Sequence, residues 1–482
     1  MRISYSHPIR RLIDILKLIC YGVVFLLLLN ACVRPVLVTS ARSVMKENNF
    51  HLYLQPLPQE AESISFHLGE LVALPESGGE IILPLKQQIF SLAENKPPEQ
   101  LKLSLTRLPG GRYKGLALRI VKASVKGERG EVDLLSPETI PLLEPFSIEK
   151  GRTQTLFVQL SGDRLVTDGA LFTPRFSLWQ PQNLLPGLKG FISTERSQDI
   201  VVVNKRTLEV VDHIRVGAEP QDLALDQERG WLYVALAAED VIAVIATSSQ
   251  EVLGRVHLRL GDNPTELSLS SDGTTLLVLN RGSDSISIVD TETLFESARL
   301  RLPIEANNLF FGSDNIHAYA IHTEANSLSY LAPQRVAIER IQKLRESPLD
   351  GIVDSDGTLY LINDFSANLT AVSEAYSARE QRILIGKGAL CLLQDSGSRL
   401  IYIGHGNGHI SVIDPFSLSA IDTFSPATDA IVDLSLDNEQ NALFALFANH
   451  GYVLKIDPVG MEVESRLLLD GPGRGIAVMG ER

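Results

Sequence analysis

The chain has 482 residues, 44% hydrophobic and 21% charged, with a formal net charge of −14. That apolar share excludes disorder as the main state, and the length suits two or three domains of roughly 100–200 residues each. A chain this acidic is a poor candidate for binding a nucleic-acid backbone, which needs clustered Lys and Arg, and three Cys exclude a disulfide framework.

The first element reads as an export signal. Arg2, Arg10 and Arg11 form a positive start, and the uncharged run Leu18–Leu29 follows. Its 12 residues match a signal-peptide core and fall short of the ~20 that span a membrane. The run ends in Leu29-Asn30-Ala31-Cys32, which resembles a bacterial lipobox. That resemblance implies cleavage before Cys32 and lipidation of its thiol. Residues 1–31 are then the signal peptide and 32–49 a tether. Val33 rather than Asp after the Cys implies sorting to the outer membrane of a Gram-negative envelope. An uncleaved single-span anchor and a soluble secreted protein are the plainer alternatives.

From residue 50 to 180, alternating apolar stretches read as strands, among them Ile64–Leu68, Ile81–Leu83, Leu116–Ile120 and Leu156–Leu160. Glu128-Arg129-Gly130-Glu131 fits a hairpin turn. A β-sandwich is expected. The segments Leu108–Tyr113, Pro145–Thr153 and Pro174–Leu178 resemble an unassigned family of β-sandwich domains from bacterial lipoproteins.

From residue 187 to 482 one strand pattern recurs, centred on Ile200, Ile242, Ile286, Leu328, Leu369, Ile410 and Val453. The spacings are 42, 44, 42, 41, 41 and 43 residues. Three more strand-like segments surround each centre, and sheets apolar on both faces must stack radially. A seven-bladed β-propeller is expected. The first unit lacks an innermost strand. Ile476 lies 253 residues after Leu223, the same span as from Ile200 to Val453, so Gly473–Val478 is in phase to complete that unit. Gly217–Pro220, Leu232–Val234 and especially Leu267–Gly273 with Leu277–Thr291 resemble the YVTN-type propeller repeat. That resemblance implies a seven-bladed ring outside the cytoplasm and no single activity.

Enzyme motifs are weak. No CxxCH, HExxH, GxSxG or GxxxxGK stretch occurs. No cofactor and no metal ligand set are expected. Arg281, His322, Asp364, His405 and His450 fall between second and third strands of their blades, on one face of the ring. They are read either as a binding site near the channel mouth or as an unrelated solvated rim. Asp354–Gly357 begins like a calcium loop but lacks its later ligands, and a turn explains it. Asp290, Asp414 and Asp457 recur after the central strand as turn caps. Cys391, in an apolar strand, reads as buried packing. The expected function is an envelope-anchored, monomeric, non-enzymatic platform for protein or glycan partners. The alternative is a propeller enzyme of lactonase or lyase type.

Overall fold

The computed structural model describes residues 48–480 apart from 62, 92–98, 128–129, 182, 196 and 374–378. The signal segment, Cys32 and the tether up to residue 47 lie outside the described residues, as do Glu128 and Arg129 of the hairpin turn.

Residues 49–179 form a two-stranded ribbon, Val166–Thr167 with Leu171–Phe172, and two packed sheets. One has four strands in the order Phe176–Trp179, Gln154–Leu160, Asn49–Leu54, Leu101–Arg107. The other is built on the long pair Ile64–Pro75 and Gly111–Gly127 and has seven strands. The two inner faces meet in one core, where Phe50, Leu52 and Leu54 pack with Phe66, Leu68 and Leu118. The strand Asn49–Leu54 pairs in parallel with Gln154–Leu160, with Leu52 opposite Leu156. It is buried on both faces. Its even residues enter the sandwich core, and His51 and Tyr53 point the other way, into the propeller.

The rest of the chain forms seven four-stranded antiparallel sheets among the described residues. Their cohesion is shown by the second blade. In Trp231–Leu236 every residue but the first is buried. Leu232, Val234 and Leu236 pack toward the first blade, and Tyr233 and Ala235 toward the third. Period-two alternation thus feeds two interfaces from one strand. Seven apolar clusters, one between each pair of neighbouring blades, close the ring.

The C-terminal strand Gly473–Val478 is the innermost strand of the first blade, antiparallel to Lys189–Thr194 with Ile192 opposite Ile476. Two buried lysines fasten this joint. Lys205 is fully buried, donates to the Met479 carbonyl at 2.7 Å and pairs with Asp437 of the seventh blade at 2.8 Å. Lys189 donates to the Thr247 carbonyl of the second blade at 2.7 Å. Burial lowers its pKa to about 8.

The sandwich rests on the outside of the ring. Tyr53, Phe157 and Trp179 pack against Val201, Val210 and Leu467, from the first and seventh blades. The Gln100 side-chain amide exchanges two hydrogen bonds with the Val210 backbone, at 3.0 and 2.9 Å. It stands in for a neighbouring strand on the blade's outer edge.

Candidate functional site

The innermost strands of the blades surround the central channel. Asp222, Glu266, Asn308, Asp350, Cys391, Asp433 and Gly475 occupy one repeat phase, spaced 44, 42, 42, 41, 42 and 42 residues apart. A register shift in the ladder marks this position in several blades, between Pro220 and Leu223, Pro348 and Asp350, and Ile431 and Asp433. The irregularity frees a backbone N–H, and the carboxylates accept it. Asp222 accepts from Leu223 N and from Leu267 N of the next blade, both at 2.7 Å. Asp433 accepts from Leu434 N and Ile476 N, both at 2.8 Å. Asp350 accepts from Gly351 N at 2.8 Å, Leu392 N at 3.2 Å and the Asn308 amide at 2.7 Å. Each of these aspartates therefore links its own innermost strand to an adjacent one.

Three carboxyls of this phase are pushed up, those of Asp222, Asp350 and Glu266. Burial raises Asp222 and Asp350 to about 6, against the pull of their hydrogen bonds. Glu266 rises further, through burial first and then the charges of Asp222, Asp350 and Asp433. Arg281, exposed on the rim, pulls Glu266 back down. Asp222, Asp350 and Asp433 thus act together on Glu266, and Arg281 on the rim opposes them.

The expected rim residues separate into two groups. His322 and His405 are not in loops: each is the last residue of its second strand and is buried. His322 bonds the Glu305 carbonyl at 2.9 Å and the Ser329 hydroxyl at 2.7 Å. His405 bonds the Lys387 carbonyl at 3.2 Å and the Ser411 hydroxyl at 2.9 Å. Burial lowers both imidazole pKa values. The same place is held by Asn280, whose amide donates to Ser287 Oγ at 2.8 Å, and by Asn363, which donates to Thr370 Oγ1 at 2.9 Å. Four blades thus use one cross-strand latch.

Arg281 and Asp364 lie one residue further along, and His450 lies in the loop itself. His450 is exposed, yet its Nδ1 meets Asp429 Oδ2 at 2.9 Å. Burial works to raise Asp429, but the bonds from His450 and Asn449 prevail and hold it below the usual carboxylate range. Leu260, fully exposed, and Phe365, at 93%, stand on the loops of this same rim. The meander places the loops between second and third strands and those between blades on one edge, and Gly282 N donates to the Asp262 carbonyl across them.

The turn readings correspond to direct contacts. Asp290, Asp414 and Asp457 accept from Thr293 N, Phe416 N and Val459 N at 2.7, 2.9 and 2.9 Å. Asp354 and Asp356 both pair with Arg399. Cys391 is buried and unbridged, with its thiol pKa pushed well up by burial. Asp222, Glu266, Asn308, Asp350 and Asp433 were not among the expected site residues, although their shared repeat phase is a signal that marks them.

No family model matches the chain, and no curated protein matches it. Among solved structures it is similar to Kuenenia stuttgartiensis hydrazine synthase, at 15% identity over 54% of this chain and 90% of that one, with a TM-score of 0.47. It is similar to the dihydro-heme d1 dehydrogenase NirN at 12% identity, over 62% of this chain and 77% of that one, with a TM-score of 0.50. It is also similar to the β-propeller domain of Myceliophteria thermophila Cps50 (Swd1), at 11% identity over 55% and 90%, with a TM-score of 0.47. At such identities a likeness bears on the fold alone, and the seven four-stranded sheets of this chain are those of a β-propeller.

Proposed function

We propose that this chain is a lipid-anchored envelope protein whose propeller rim binds a protein partner. One observation carries the reading. The buried histidines and the channel aspartates are spent on bonds between strands and blades, whereas Leu260 and Phe365 are exposed on the same face of the ring as Arg281, Asp364 and His450. Apolar side chains among charged ones on a rigid loop face suit protein recognition. The anchor rests on the sequence around Cys32, and outer-membrane sorting on Val33. The YVTN-type assignment rests on the repeat residues from Leu267 to Thr291.

Crosslinking and pull-down from intact cells test the platform. The native chain is expected to capture a defined partner, and a Leu260→Asp, Phe365→Asp double variant to lose it while keeping its melting temperature. Capture unchanged by the double variant would overturn the rim assignment. Turnover in a lactone-hydrolysis screen, abolished by Glu266→Gln, would favour the enzyme reading instead. Cys32→Ser is expected to move the protein from the membrane fraction to the soluble one; continued membrane retention would sink the lipid anchor.

A further inference from the structure

The seam between sandwich and propeller holds a second cluster that the platform reading does not use. His51 comes from the sandwich strand Asn49–Leu54. Asp199 opens the strand Asp199–Asn204 of the first blade, and His213 sits in that blade's outermost strand, Val210–Arg215, opposite Val201. Asp199 and Val201 are two residues apart, so Asp199 and His213 share one face of the sheet. All three side chains are buried, each at most 5% exposed. One ligand atom from each lies within 4.8 Å of the others.

Their polar atoms are not satisfied by one another. Both ring nitrogens of His51 and Nδ1 of His213 are buried without a hydrogen-bond partner. Three orphaned imidazole nitrogens in one place run against the rule that buried polar atoms are paired. His51 Nε2 and Asp199 Oδ2 stand 3.5 Å apart. That is long for a charge-assisted hydrogen bond. It is close to the edge of a zinc tetrahedron, about 3.3 Å for bonds of about 2.05 Å.

The His51 and His213 rings stack at 3.7 Å and 22°, so binding a shared ion turns the His51 ring, whose nitrogens make no hydrogen bond, while the other two ligands are held in place. His213 Nε2 meets the Tyr53 hydroxyl at 2.7 Å, which leaves Nδ1 for an ion. Asp199 is held by the Thr153 hydroxyl at 2.7 Å and the Asn49 amide at 2.8 Å. His51 and Asp199 also line a cleft of about 490 Å³ at the seam, a route for an ion and for water as a fourth ligand. The nearby Lys102 is answered by Asp470.

We propose that His51, Asp199 and His213 form a site for a divalent transition ion that prefers imidazole and carboxylate, zinc foremost, and that the ion staples the sandwich to the first blade. Imidazole nitrogen with one carboxylate is a donor set of borderline softness and disfavours calcium and magnesium.

The test uses the full chain without a polyhistidine tag, stripped with chelator and dialysed against zinc. Elemental analysis is expected to find about one zinc per chain, and cobalt in its place to give strong tetrahedral absorption bands. His51→Gln and His213→Gln are expected to lose the bound metal. Tyr53→Phe, which keeps every ligand but removes the hydroxyl that orients His213, is expected to weaken binding about tenfold. Zinc is expected to raise the melting temperature of the native chain and not of His51→Gln. Should a histidine variant fail to fold, the cobalt spectrum of the native chain and the Tyr53→Phe affinity still decide. Zinc far below one per chain, a cobalt spectrum without tetrahedral bands, or stoichiometry unchanged in folded histidine variants would each overturn the site.

Discussion

Where the second strand of a blade ends, the backbone ladder stops supplying partners, and a side chain takes over. Asn280, His322, Asn363 and His405 each reach a hydroxyl on the third strand. Because Asn and His do the same work there, His322→Asn should retain more stability than His322→Ala. The alanine variant strands the buried Ser329 hydroxyl and the Glu305 carbonyl, at a cost of about 2 kcal/mol in urea unfolding; equal losses for both variants would refute the latch. The channel carboxyls carry a sign that can be checked. Asp222 and Asp350 are raised from 3.8 to about 6 in the folded protein, so the native state holds protons that the unfolded chain has released. Their contribution to stability is full below about pH 4 and is lost as the pH rises through about 6. Glu266 is raised in the same sense. Glu266→Gln should therefore raise the melting temperature at pH 8 by about 2 °C, with a smaller gain at pH 5. A loss at pH 8 would contradict the repulsion. At this scale the sequence was only partly legible. It shows a polar residue near each second-strand end, but a one-residue offset separates a buried latch such as His322 from an exposed rim group such as Arg281. Strand boundaries are where pattern reading is weakest. His51, Asp199 and His213 have no motif spacing at all: strand pairing within the first blade joins Asp199 to His213, and the docking of the sandwich adds His51.

Strands and turns were far more legible, because each blade repeats one solution. The turn between third and fourth strands shows how. Leu208, Leu294, Leu418 and Met461 sit there in the left-handed region, with φ between 52° and 59°. Glycine is the usual choice for such a turn. Here the side chain matters more: Leu208 packs with Phe444 of the seventh blade, and Leu294 packs into the second. Each fills the gap beside the preceding blade, and buried apolar area outweighs the strain of a positive φ. The repeat spacing located these elements, whereas the sandwich was harder to read. Its strands show alternation, but the parallel pairing of Asn49–Leu54 with Gln154–Leu160 joins segments about a hundred residues apart and leaves no local mark. The closing strand tests the ring at this scale. Deleting residues 471–482 removes the first blade's innermost strand together with the Met479 carbonyl that receives Lys205, and leaves Lys205 and Asp437 buried in a damaged joint. Thermal unfolding should shift down by well over 10 °C or lose cooperativity, and an unchanged melting temperature would show that the ring does not depend on this strand.

Residues 48–480 form a ring with a second body against its outer wall, at the blade that joins the first and last strands of the propeller. Ser193 and Gly475 are joined by a hydrogen bond across 282 residues of sequence. A chain made from its N-terminus presents Lys189–Thr194 early, with the edge destined for Gly473–Val478 still bare. Open edges invite pairing with other chains, and contacts this distant form slowly. The opposite edge of that blade is spared, since Gln100 of the sandwich occupies the Val210 backbone. The sandwich therefore serves in time as well as in space: being made first, it can shelter one side of the unfinished blade while the remaining six are synthesised. The hazard of misassembly is greatest in that interval, and the emergence of Gly473–Val478 ends it.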